Sequence, residues 1–148
     1  MDAQDIIEIH QLLNEYGHIV DAQEWDRFDE LFLPDAELDY TGVRAPEPLH
    51  GLEAIREYFR EANHPSAHHV TNIVVSERGG QVRVHSKFLA PYTRPSHDPR
   101  RWYGGDYEDE VVRTPDGWRF ARRTCTARWL LTPELAGGDA IPEHRRTW

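Results

Sequence analysis

The chain has 148 residues, 39% hydrophobic and 11% aromatic, the size and composition of one globular domain that can bury a core without disulfide or metal staples. Its 17 basic residues are outnumbered by 26 acidic ones for a net charge of −9, and the arginines and the single lysine, Lys87, are scattered rather than gathered in a stripe, which argues against nucleic-acid binding. The only cysteine, Cys125, excludes an internal disulfide and reads as core filler in a reducing compartment; with an acidic, non-apolar start and short apolar runs, the expectation is a cytoplasmic protein without signal peptide or membrane span.

Ile6, Ile9, Leu13, Tyr16 and Val20 recur at spacings of three and four, which predicts an amphipathic first helix with Asp2 and Asp5 suited to its positive N-terminus. Trp25, Phe28, Leu31 and Phe32 predict a short second helix stopped by Pro34. Residues 36–40 alternate like a half-buried strand, and 41–48 read as a loop. Leu52, Ile55, Tyr58 and Phe59 mark a third helix that ends at Asn63, His64 and Pro65. Everything beyond is strand-like. Residues 68–75 lead through a Gly79–Gly80 turn into 81–91, a proline-rich loop spans 92–101, and a second hairpin pairs 102–113 with 118–131.

The tail, 132–148, has little periodicity, and neither a repeat nor a linker divides the chain, so one domain over 1–148 is expected. Helices first and antiparallel strands second predict an α+β fold: three N-terminal helices on a curved, mostly antiparallel sheet, a cone whose interior is a natural small-molecule pocket. The uncovered sheet face, with Trp129, Leu130, Leu131 and Trp148 available to cover a neighbour, is one ground for expecting a homo-oligomer.

Asp21 falls near the end of the first helix, where the dipole disfavours a negative charge; an acid tolerated there needs a partner, unless it is merely solvated. In a strand, His68 shares a face with Val70, Asn72 and Val74, and His69 with Thr71, Ile73 and Val75. Both faces are apolar, so periodicity does not choose between the two histidines. Tyr16, Tyr40, Tyr107 and Trp129 are candidate pocket walls, although aromatics at such spacings also serve plain cores. Arg123 lies with Ala121 and Cys125 on one strand face; if buried it needs a counter-charge, from Asp21 or a substrate anion, and otherwise it is a surface residue. The remaining histidines are dispersed without ligand spacing, so no metal is expected, and without a P-loop, dinucleotide-binding or nucleophile-elbow pattern no cofactor is expected either.

The run from Tyr16 through Asp21 to Trp25 and Asp26, then Leu31 to Ala36, His50–Gly51, His68 to Asn72, Gly105 to Tyr107 and Asp116 to Phe120 resembles the SnoaL-like group of the nuclear-transport-factor-2 (NTF2-like) fold over residues 4–131. Within that group it is similar to hexachlorocyclohexane dehydrochlorinase, scytalone dehydratase and bile-acid 7α-dehydratase. The resemblance implies a cofactor-independent lyase (dehydratase or dehydrohalogenase), or a related isomerase, acting on a small apolar cyclic substrate. Together with the uncovered sheet face, it also implies a homodimer or homotrimer. Asp21 and His68 match the catalytic aspartate and histidine, with His69 one register away. Tyr16 matches a dehydratase tyrosine, Tyr40 a pocket tyrosine, and Arg123 the dehydrochlorinase arginine; His69, Asn72, Tyr107 and Trp129 are expected to contact substrate. Trp102 and Tyr103 stand near the place of the second scytalone dehydratase histidine, and Val20 replaces the tyrosine before its aspartate. In this reading a histidine, with a typical pKa of about 6.5, is the general base that Asp21 orients. Three other readings remain: a non-catalytic ligand-binding or assembly protein, a ring-hydroxylating dioxygenase small subunit, and a polyketide cyclase.

Overall fold

The computed structural model describes residues 1–43, 45–62, 64–92 and 101–131; most of the predicted loop over 92–101 and the whole tail from Thr132, Trp148 included, lie outside the described residues. Helix α1 (Ala3–Ala22) opens with a capping box: the Asp2 carboxylate accepts from the Asp5 N–H, and the Asp5 carboxylate from the Asp2 N–H. Its buried stripe is Ile9, Leu12, Leu13, Tyr16, Gly17, Ile19 and Val20, and it stops at Gln23 in the left-handed conformation. Ile6, counted in that stripe from periodicity, is 39% exposed because it precedes the part of the helix that the sheet covers. The predicted second helix is a 3₁₀ segment, Trp25–Glu30, with Phe28 as its buried anchor.

Strand β1 (Phe32–Gly42) begins earlier than its alternation implied, and its pairing is irregular between Phe32 and Glu37, where Pro34 has no N–H to offer. A short β2 (Leu49–His50) leads into helix α2 (Leu52–Glu61), which buries Ile55 and Phe59. Strands β3 (His69–Arg78), β4 (Gln81–Pro91), β5 (Trp102–Thr114) and β6 (Gly117–Leu131) follow as a meander. The sheet order is β2-β1-β6-β5-β4-β3, antiparallel except where β1 runs parallel to β6, and this curved, unclosed sheet with helices on one face is an α+β fold.

Three bulges decide which side chains face inward. On β3 the pairing passes from Thr71–Lys87 to Val74–His85, leaving one extra residue at Asn72, which has a φ of 53°. On β6, Ala121 and Arg128 are the extra residues, since Glu110–Arg122 is followed by Val111–Phe120, and Gly105–Ala127 by Gly104–Trp129. Each bulge reverses the alternation beyond it. The outer face carries a polar knot: the Asp106 carboxylate meets Lys87, the Arg128 Nε at 2.6 Å and the His85 Nε2 at 3.3 Å. Lys87 and then Arg128 hold the Asp106 carboxyl well below the usual carboxylate range.

Close approach at the β5–β6 bulge requires glycine. A Cβ on Gly105 would lie 2.0 Å from the Thr126 carbonyl oxygen and 2.9 Å from the Phe88 ring. The blocking atom is backbone, which moves only by breaking the pairing, so Gly105→Ala is expected to lower stability by about 2–3 kcal/mol in urea unfolding.

Candidate active site

The inner face of the sheet, α1 and α2 enclose a cavity of about 330 Å³. Its described wall is aromatic and apolar: Tyr16 from α1, Tyr40 from β1, Phe88, Ala90 and Tyr92 at the end of β4, Tyr103 and Tyr107 from β5, and Cys125 from β6. Tyr58 and Phe59 of α2 line another side, and His64, Pro65 and His68, on the connection into β3, complete it. Burial pushes the Cys125 thiol up, away from nucleophile character.

Asp21 holds His68 twice. One carboxylate oxygen accepts the His68 backbone N–H at 2.8 Å, and the other lies 2.6 Å from the imidazole Nδ1. Gly17, one turn before Asp21, faces His68 closely: a Cβ there would stand 3.4 Å from the His68 carbonyl oxygen, in ordinary contact. The side chains are 6% exposed for His68 and 25% for Asp21. With Nδ1–H donated to the carboxylate, the neutral imidazole carries its lone pair on Nε2. The helix end offers Asp21 no basic residue in its last turn, so the donors at position 68 supply the compensation that its place demands.

Behind the wall lies a second buried pair. Arg123, with 0% exposure, forks onto Asp109 through Nε at 2.7 Å and Nη2 at 2.8 Å. Its guanidinium carbon sits 4.1 Å from the Tyr16 ring centroid, 4.3 Å from Tyr107 and 4.1 Å from Phe120. The Tyr16 and Tyr40 hydroxyls are 2.5 Å apart, and Phe88 stacks on Tyr107 at 4.6 Å. Burial pushes Tyr16 up to about 12, against the pull of the Arg123 charge and the Tyr40 hydrogen bond, and raises Tyr40 and Tyr107 well above the usual phenol value. These hydroxyls are therefore neutral donors at any ordinary pH.

The structure thus brings Asp21, His68, Tyr16, Tyr40 and Tyr107 together and leaves four expected residues apart. Arg123 is buried, but its counter-charge is Asp109, directly opposite it in the β5–β6 register, rather than Asp21. The bulge at Ala121 also gives it Phe120 as its face neighbour in place of Ala121. His69 is exposed on the opposite side of the strand from His68. Asn72 is the exposed bulge residue, and Ile73 and Val75 are the more buried positions beyond it. Trp129, 47% exposed, lies over the outer side of Gly104, because the extra residue Arg128 turns it away from the cavity.

His64, Tyr58 and Tyr92 were not foreseen as cavity residues, and Tyr103 only as standing near the place of a family histidine. Period-two alternation from Tyr107 back to Tyr103, and from Phe88 on to Tyr92, carries the signal for two of them; His64 reads in sequence only as a helix stop. Among the described residues, no three His, Cys, Asp or Glu side chains converge as a metal site would need, and no helix is long and apolar enough to cross a membrane.

Residues 1–124 match the SnoaL-like domain, and the chain belongs to that family. The Mycobacterium tuberculosis protein Rv2910c is 30% identical over 129 residues, 84% of this chain and 86% of that protein. The anthranilate 1,2-dioxygenase small subunit of Burkholderia cepacia is 27% identical over 136 residues, 80% of this chain and 84% of the subunit. Among solved structures, the Kfla4162 protein from Kribbella flavida superposes with a TM-score of 0.77 at 27% identity, covering 93% of this chain and 100% of that one. The NTF2-like architecture expected from sequence is the one observed.

The tyrosine environment fixes an alkaline limit. Unfolded tyrosine loses its proton near pH 10, whereas folded Tyr16 keeps it to about 12. A raised folded-state pKa means that its contribution is whole below about pH 10 and is lost as pH rises towards 12. Urea unfolding across this range is expected to find stability falling with pH, with a shallower fall in Tyr16→Phe.

Proposed function

We propose that the chain is a cofactor-independent lyase, or a related isomerase, acting on a small, mostly apolar cyclic molecule, with His68 as general base. The observation that carries this reading is the double hold of Asp21 on His68: it commits Nδ1 and leaves Nε2 as the proton acceptor of a histidine on the wall of an apolar cavity. In an elimination, Nε2 takes a proton from a carbon, that C–H pair forms the new double bond, and the neighbouring carbon releases its hydroxyl or halide with the bonding electrons. Asp21 stabilises the imidazolium that results.

Tyr16, whose hydroxyl pairs with that of Tyr40, gives its proton or a hydrogen bond to a departing or enolising oxygen in this reading, and Tyr107 shapes the wall beside them. Arg123 acts as a positioning residue through the rings of Tyr16 and Tyr107. His69, Asn72 and Trp129 have no part in this reading.

Cyclic β-hydroxy ketones and β-halo ketones are the natural probes, with enone formation followed by absorbance. Turnover of at least one of them is expected, with His68→Ala and Asp21→Asn each lowering it about 10²–10⁴-fold while circular dichroism is unchanged. The double variant should fall little below the worse single one, because the pair acts as a unit. Undiminished turnover in both single variants would remove the dyad from the chemistry.

The likeness to the anthranilate dioxygenase small subunit favours one other reading, an assembly subunit for a larger dioxygenase chain. That role makes no demand on Nε2 of His68, so binding of such a chain by the dyad variants, with no turnover by the wild type, would favour it. We further propose a cytoplasmic location and a homodimer or homotrimer formed through the outer sheet face, where Val74 and Trp129 are 62% and 47% exposed. Light scattering at micromolar concentration should return a multiple of the 17.3 kDa chain mass; the chain mass itself would count against the assembly.

A further inference from the structure

The described cavity wall carries no Asp, Glu, Lys or Arg, but a cation stands at its edge. The Tyr92 N–H donates to the Arg101 carbonyl at 3.0 Å, which extends the β4–β5 pairing beyond the Pro91–Trp102 pair and sets Arg101 opposite Tyr92. Two residues before Tyr103, Arg101 shares its inward face. Its guanidinium carbon lies 5.4 Å from the Tyr92 ring centroid and 5.9 Å from that of Tyr103, and its Nη2 is 3.5 Å from the Tyr103 hydroxyl. Both rings belong to the cavity wall.

Among the described residues, Arg101 has no acidic partner. Arg113 pairs with Asp5 and Glu8, Arg123 with Asp109 and Arg128 with Asp106, whereas no carboxylate among the described residues pairs with Arg101. Its Nε is buried and has no hydrogen-bond partner among the described residues. In a chain of net charge −9, a partly buried guanidinium whose described partners are two tyrosine rings and one phenol hydroxyl is under-compensated by them. The described cavity wall holds no Asp or Glu that would repel an anion, since Asp21 reaches it only through His68.

We propose that Arg101 anchors an anionic oxygen group, a carboxylate or a phosphate, on the molecule that occupies the cavity. The ligand class is then a hydrophobic ring bearing an acidic group, with the ring against Tyr16 and His68 and the anion at the rim. A guanidinium fits this task because its planar fork matches such groups and because it already stacks on the aromatic wall. The proposal rests on reading the cavity as a small-molecule site, and it holds whether or not His68 performs the chemistry.

Calorimetric binding of 1-naphthoate, 1-naphthyl phosphate and the neutral 1-naphthamide to the wild type, Arg101→Gln and Arg101→Lys tests it. At least one anion is expected to bind the wild type about tenfold or more tightly than the amide. Arg101→Gln should erase that gap without changing the amide affinity, and Arg101→Lys should keep part of it. The anion preferred identifies the group as carboxylate or phosphate. His68→Ala should preserve the gap, which separates this proposal from the lyase mechanism. Equal binding of anions and amide by the wild type, or a gap that survives in Arg101→Gln, would overturn the proposal and leave the cavity reading intact. No binding of any probe would overturn both.

Discussion

The buried guanidinium of Arg123 is the constraint around which the rest is arranged. Taking Arg123 and Asp109 out of water costs several kcal/mol per ion, recovered only with near-ideal geometry and satisfied surroundings. The β5–β6 register supplies that geometry by setting the two residues directly opposite each other, and the rings of Tyr16, Tyr107 and Phe120 surround the cation. Tyr16 belongs to α1, so the same contact fixes the helix against the sheet. Five residues later on the same helix Asp21 meets His68. A cation that does not itself line the cavity thus positions, through the rings it touches, residues that do.

The interior divides into a charged layer and a neutral one. The Arg123–Asp109 pair lies behind the tyrosines, and the cavity surface consists of phenol hydroxyls, imidazoles, a thiol and apolar carbon. Burial keeps the hydroxyls and the thiol protonated, so the wall offers donors without fixed charge. Such a surface discriminates through where charge develops on a bound molecule, which suits proton transfer more than ion binding. At the rim, at Arg101, a fixed charge comes close.

Much of this was legible in the sequence. Asp21 reads as an acid in want of a partner because helix ends disfavour carboxylates, and the strand histidine at 68 or 69 supplies one. The meander after residue 68, the hairpin turn and the amphipathic first helix follow from periodicity and turn chemistry. The second helix appears as a 3₁₀ segment, the tighter winding common in short connectors between longer elements. Asn72 and Trp129 were drawn to the cavity by simple alternation, which bulges at Asn72 and Arg128 reverse; an inserted residue leaves no mark in a pattern of period two.

By itself the sequence determined the class of fold, the acid and the histidine pair that would meet, and the aromatic character of the pocket, because hydrophobic period and helix-end electrostatics are local properties of a chain. Only the tertiary structure decided which histidine faces inward, which acid neutralises Arg123 and which aromatics form the wall. Those outcomes depend on strand register and bulge position, which are set by packing between segments far apart in the chain, and one displaced residue turns every side chain beyond it to the other face.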